Sequence, residues 1–94
     1  MMTLTPDSDT GEVRLKRLRI RSWRRGIKEM DLILGAYCDE ELGRLPEEEV
    51  LLYEALLSEN DHDLYAWITG RGTPPAEFAQ LIARIAAHAR GSAA

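Results

Sequence analysis

An all-α fold, a small five-helix bundle in a single domain, follows from three features of this 94-residue chain. Apolar residues recur three and four positions apart over most of its length, a spacing that gathers them on one side of a helix. Proline, glycine and Asn-Asp steps cut that pattern into pieces of helical length. No stretch after residue 21 alternates in the two-residue rhythm of a strand, so an earlier strand would have nothing to pair with.

Residues 1–12, with Pro6, Asp7, Ser8, Asp9 and Gly11, read as a flexible polar tail. Residues 13–90 form the helical domain, and 91–94 fray. The first helix, Val13 to Trp23, is the least regular. Val13, Ile20 and Trp23 share one side, while Leu15 and Leu18 lie almost opposite. Its Leu, Arg and Lys content favours helix over the local strand-like alternation. Apolar groups on two sides mean that it is sandwiched, or partly exposed for a partner.

Ile27 to Leu42 make a firmer helix, with Ile27, Met30, Leu34 and Tyr37 on one stripe and Ile33 and Cys38 widening it. Gly35 costs its middle about 1 kcal/mol relative to alanine, which points to either close packing or a kink. Gly43 is placed as a stop signal. Pro46 suits the first position of a third helix, and Glu47, Glu48 and Glu49 suit its positive end. Val50, Tyr53, Leu56 and Leu57 supply the apolar face. Asn60-Asp61 ends that helix and caps a fourth, on which Leu64, Trp67 and Ile68 face inward. Gly70-Arg71-Gly72 closes it. After Thr73-Pro74-Pro75, a last helix carries Phe78, Leu81, Ile82, Ile85 and Ala89 at spacings of three and four.

Hydrophobic residues at 45% and charged residues at 30% are ordinary for a globular domain. A chain this short buries only about 60–65% of its unfolded surface, which leaves little interior for a cofactor cavity. The net charge of −4 argues against general affinity for nucleic acid. That total hides a segregation: eight of the 12 Lys and Arg residues lie between Arg14 and Lys28, and 12 of the 16 acids between Glu29 and Asp63. The basic segment could grip phosphates, but it lacks interleaved aromatics apart from Trp23. Charge matching within the molecule or to a protein partner is the better account. Cys38 is the single cysteine, which excludes an internal disulfide and fits a reducing cytoplasm. The sequence shows no secretory or transit signal, and no apolar run near the ~20 residues that would insert into a membrane.

Cys38, His62 and His88 are isolated along the chain, so no metal site is expected. Cys38 lies on an apolar stripe and reads as structural. Gly70-Arg71-Gly72 lacks the strand before it and the ending of a phosphate loop. Glu47, Glu48 and Glu49 read as a solvated helix start. Enzymatic chemistry is therefore not expected.

The charge changes sign at Arg24-Arg25-Gly26-Ile27-Lys28-Glu29-Met30-Asp31, where a glycine joins two helices. Arg25 and Glu29, four apart, stand in the weaker order for a helical ion pair. Glu29 has a possible structural use, accepting from free N–H groups around Gly26. Arg25 has none visible in the sequence, and its guanidinium fork suits carboxylates or carbonyls on a partner.

Arg25-Gly26-Ile27-Lys28-Glu29 matches the RGxxE motif, and this chain resembles the succinate dehydrogenase assembly factor 2 family, which includes the bacterial FAD assembly factors. Arg24-Arg25-Gly26 followed by Glu29-Met30-Asp31-Leu32 is similar to that family's RRG…E-x-D-L segment. Asp61-His62-Asp63-Leu64-Tyr65-Ala66-Trp67 is similar to its D-x-D-L-x-x-W segment, and Pro74-Pro75 precedes the last helix as it does there. The resemblance covers about residues 14–88. Leu45-Pro46 departs from it, since a Ser or Thr cap is more usual.

The resemblance implies a non-enzymatic chaperone. It would bind the flavoprotein subunit of succinate dehydrogenase, or of fumarate reductase, and promote autocatalytic covalent attachment of FAD to a histidine of that subunit. FAD would be the client's cofactor, with none held stably by this chain. Arg25, Gly26 and Glu29, flanked by Arg24 and Asp31, would form the contact surface. A bacterial cytoplasmic location goes with that reading. The alternative is an antitoxin-like regulator countering a membrane-associated toxin, an assignment the family has also carried.

Overall fold

In the computed structural model, which describes residues 11–93, five helices follow one another: α1 (Gly11–Trp23), α2 (Lys28–Glu41), α3 (Glu47–Leu56), α4 (Asp61–Thr69) and α5 (Ala79–Ala93). Short 3-10 turns, Leu42–Arg44 and Ala76–Phe78, follow α2 and precede α5. The tail assigned to residues 1–12 lies outside the described residues up to position 10, and α1 begins at Gly11. At the other end α5 runs through Ala93.

Helix α2 lies centrally, packed against both α1 and α5. Its Met30, Leu34, Tyr37 and Cys38 join Val50, Tyr53 and Leu56 of α3, Leu64 and Ile68 of α4, and Leu81, Ile82 and Ile85 of α5 in one core. Phe78, from the turn before α5, closes the core. These are the residues that the three- and four-residue spacing selects.

Helix α1 resolves its two-sided pattern by burying Leu18 completely and leaving Val13 and Ile20 about half exposed. A single fully buried leucine is worth about 2 kcal/mol, too little alone to fix a 13-residue helix. Leu15 packs against the core beside it, and polar contacts add to the attachment. Arg14 forms a two-pronged pair with Glu47 of α3, at 2.9 and 2.5 Å, which holds the Glu47 carboxyl below its ordinary range. Arg19 faces Asp39 of α2 at 3.3 Å, and Arg21 donates to Ser58 at 3.3 Å. The segregation of charge along the chain thus serves, in the fold, to stitch α1 to the acidic helices.

Two further contacts fix α1. Ser22, fully buried, donates to the Leu18 carbonyl at 2.8 Å and lies 2.7 Å from the Tyr53 hydroxyl, which reaches the Leu34 carbonyl at 3.1 Å. Two hydroxyl protons serve three contacts, so at most two are made at once. The cost is small, because both carbonyls lie inside helices and already accept an amide. Burial pushes the Tyr53 phenol well above its ordinary pKa despite the Ser22 bond, and raises the Cys38 thiol too. Cys38 is thus a buried thiol, as its place on the stripe predicts.

The second contact answers the question at Gly35. The Trp23 ring lies across α2 at that residue, and a Cβ there would stand 2.3 Å from two ring carbons. Close packing, not a kink, is why glycine sits there. The indole N–H then donates to Asp39 at 3.2 Å.

Two helix ends differ from the sequence expectation. Pro46 is the N-cap of α3 rather than its first residue, and its carbonyl accepts from Glu49 and Val50. Gly43 does not end α2 in a left-handed turn: the chain tightens there into a 3-10 turn instead, and only Gly26 and Gly70 have positive φ among the described residues. Asn60 caps α4 as expected, accepting from His62 at 2.8 Å.

Candidate functional site

The chain leaves α1 at Trp23 and enters α2 at Lys28 through a four-residue bend. Gly26 turns it with φ of +99°, a region where a side chain is strained. A Cβ at Gly26 would meet nothing within 4 Å, so the requirement is conformational and not steric. Helix α2 starts without a side-chain cap, since its N-cap is Ile27. The acid that steadies the bend is Asp31, whose carboxylate accepts the Arg25 amide at 2.6 Å. Glu29, expected for that task, does not perform it.

Arg25 does have a structural task, contrary to the expectation that it has none. Its side chain is only 9% exposed, and its three donor groups are all engaged inside the molecule. Nε donates to Asp61 at 2.8 Å, Nη1 to the Leu57 carbonyl at 2.6 Å, and Nη2 to the Glu59 carbonyl at 3.1 Å. Leu57 is the C-cap of α3, so a cation there meets carbonyls that the helix leaves unpaired. Asp61 is the first residue of α4, where an acid suits the dipole. One guanidinium thus ties the α1–α2 bend to the α3–α4 turn, using the fork geometry that lysine lacks. The structural task absent from the sequence reading exists, but its partners lie 32 to 36 positions away. The available signal was the pair of motif segments: Arg25 of the first meets Asp61 of the second.

The five candidate residues therefore divide. Arg25 and Asp31 point into the fold. Arg24, Gly26 and Glu29 are exposed around the bend. Glu29 makes no hydrogen bond or ion pair with any described residue. It stands between two depressions, one of about 200 Å³ with Ile27, His62 and Tyr65, the other a wider open groove of about 550 Å³. Among the described residues no cluster of three or more His, Cys, Asp or Glu is arranged to hold a metal. No described helix is long and apolar enough to cross a membrane. The arrangement offers a charged, glycine-turned ledge beside apolar surface, held rigid from behind.

Comparison with known proteins places the chain in a family. Residues 16–89 match the model of a family described as the flavinator of succinate dehydrogenase. The chain is 35% identical over 91 residues to the mitochondrial succinate dehydrogenase assembly factor 2 of Mycosarcoma maydis, covering 89% of this chain and 38% of that protein. It is 37% identical over 62 residues to the FAD assembly factor SdhE of Legionella pneumophila strain Lens, covering 66% of this chain and 78% of the relative. A mitochondrial assembly factor 2-A of Drosophila willistoni is 38% identical over 69 residues, 71% of this chain and 44% of its own length. The chain thus spans less than half of the fungal and insect relatives and over three quarters of the bacterial one. No solved structure matches significantly.

Proposed function

The chain belongs to the flavinator of succinate dehydrogenase family, and from that premise we propose that it is an assembly factor for the flavoprotein subunit of succinate dehydrogenase. In this reading it binds that subunit and promotes the covalent attachment of FAD to a histidine there. The observation that carries it is the family match across residues 16–89, which includes both the bend and the segment that Arg25 grips. The relatives' printed names as assembly factors support the same reading.

The finer parts follow as one scheme. The bond-forming chemistry belongs to the client and its FAD, and the factor contributes no reacting group. It acts by holding a mobile part of the client so that flavin and acceptor histidine stay in reach, which lowers the entropic barrier to their reaction. Arg24, Gly26 and Glu29 touch the client, while Arg25 and Asp31 hold that surface in shape. The flavoprotein of fumarate reductase is a second client, since it presents the same chemistry. The working compartment is the bacterial cytoplasm, which suits a chain whose single cysteine is buried. The relatives' names, assembly factors throughout, lend the antitoxin-like alternative no support.

The test is covalent flavin in the client. A strain lacking this protein is expected to show strongly reduced in-gel flavin fluorescence of the flavoprotein subunit, restored by the wild-type chain and not by Gly26→Arg. Normal covalent flavin in that strain would reject the proposal.

A further inference from the structure

Beyond the bend, α2, α4 and α5 leave an apolar groove open between them, lined by Leu32, Ile33, Tyr65, Ile68, Ala86 and Ala89. Leu32 is 52% exposed and Tyr65 36%, among the most exposed large apolar side chains of the described residues. Singly exposed apolar residues are ordinary, but here two of them flank one concavity. Tyr65 and Glu29 also line the smaller depression beside Ile27, so the apolar surface continues to the Gly26 bend. The two charged residues of the groove, Glu29 and Arg90, are exposed and paired with no described residue.

We infer that this groove is the apolar half of the docking surface, and that it receives a segment of the client flavoprotein carrying apolar side chains and a basic residue. The inference rests on the assembly-factor reading and specifies the chemistry of its partner. Apolar side chains would cover Leu32 and Tyr65, and the basic residue would lie against Glu29. An unpaired carboxylate beside apolar surface favours such a partner: a cation satisfies the charge while the flanking side chains exclude water. Arg90 adds a site for an acid on the same segment. Division of labour follows, with Glu29 setting register and the groove supplying buried area.

The experiment uses the purified apo-flavoprotein subunit of succinate dehydrogenase and the full chain. Leu32→Glu and Tyr65→Glu are expected to weaken binding at least tenfold with unchanged circular dichroism, because both side chains are exposed on helices. Leu51→Glu, about half exposed on α3 and away from the groove, is expected to bind as wild type. A photo-crosslinking residue at position 32 should capture a client peptide that contains apolar residues and a Lys or Arg. Glu29→Arg should lose binding and regain it when that basic residue is exchanged for Glu. Wild-type affinity in both groove variants overturns the groove while leaving the assembly-factor reading intact. Capture of a second copy of this chain at position 32 overturns the client as occupant. No binding by the wild-type chain removes the assembly-factor reading itself, and the groove assignment with it.

Discussion

Arg25 and Glu29 sit four residues apart in one motif and are placed in opposite ways. Arg25 is nearly buried, with its donors spent on Asp61 and two carbonyls, whereas Glu29 is exposed and touches no described polar group. The glycines of this region differ in the same way. Gly26 is required for its φ and has open space around it; Gly35 is required for its lack of volume beneath Trp23. A motif written as a string of letters therefore mixes residues held inside the fold with residues exposed on it. Stability measurements separate them, because a residue that is only exposed, such as Glu29, should leave folding unaltered, whereas one with a structural task, Gly26 included, should not.

The largest loss is expected from Arg25→Ala. It strands Asp61 and the Leu57 and Glu59 carbonyls in the half-buried turn between α3 and α4, a change that typically costs about 3 kcal/mol. Urea unfolding should show the midpoint fall with little change in slope. Arg25→Lys should recover only part of it, since an ammonium cannot face all three acceptors in the guanidinium plane. Wild-type stability in Arg25→Ala would mean that the arginine is held for the partner after all.

Gly35→Ala comes next, at about 2 kcal/mol of destabilisation. Helix propensity alone predicts the opposite sign, a gain of about 1 kcal/mol. Loss of stability with altered tryptophan emission identifies the Trp23 contact as the stronger effect. For Gly26→Ala the expected loss is about 1 kcal/mol, from forcing a side chain into positive φ. A D-alanine introduced at position 26 by chemical synthesis should instead stabilise by about 0.5 kcal/mol, because that stereochemistry accepts the turn. If both stereoisomers destabilise equally, the conformational account of Gly26 is wrong.

The buried side of the comparison also has a pH signature. The Tyr53 phenol is raised by burial, so the folded state holds its proton after the unfolded chain, titrating near 10.0, has begun to lose it. Its contribution is full below that pH and declines above it. Tyr37 is raised for the same reason and adds to the decline. Tyr53→Phe should flatten the alkaline slope of stability while lowering stability at neutral pH by about 1 kcal/mol through the lost hydrogen bonds. Glu29→Ala should have the smallest effect on folding, within about 0.5 kcal/mol, yet abolish client capture in a pull-down. Those two results together would place Glu29 on the presenting side.

The helical architecture was legible from local order. Apolar spacing marked the α2 and α5 faces, and residues such as Leu34, Tyr53 and Ile85 were selected for the core before any contact was known. Gly70 and Asn60 announced helix ends because their chemistry acts within a few residues. Gly43 and Pro46 show the limit of that rule: each sits beside a helix end, but the backbone meets it in a different conformation. Helix α1 was hardest, since its inward side is fixed by Ser22, Arg14 and Trp23 meeting residues of α2 and α3. A helical wheel cannot know that a serine will be buried when Val13 and Ile20 are not.

By itself the sequence determined the helices, most of the core and the location of the bend, because each depends on interactions within one turn or on the periodicity of a single helix. It also carried the family, since two short motif segments suffice for that. Only the tertiary structure decided which motif residues are exposed and which are held inside the fold. The Arg25 clamp joins positions more than 30 apart, and the groove exists only where α2, α4 and α5 diverge. Hydrogen-bond partners distant in the chain leave no local pattern, so the part that Arg25 plays in tying the α1–α2 bend to the α3–α4 turn could be seen only in the fold.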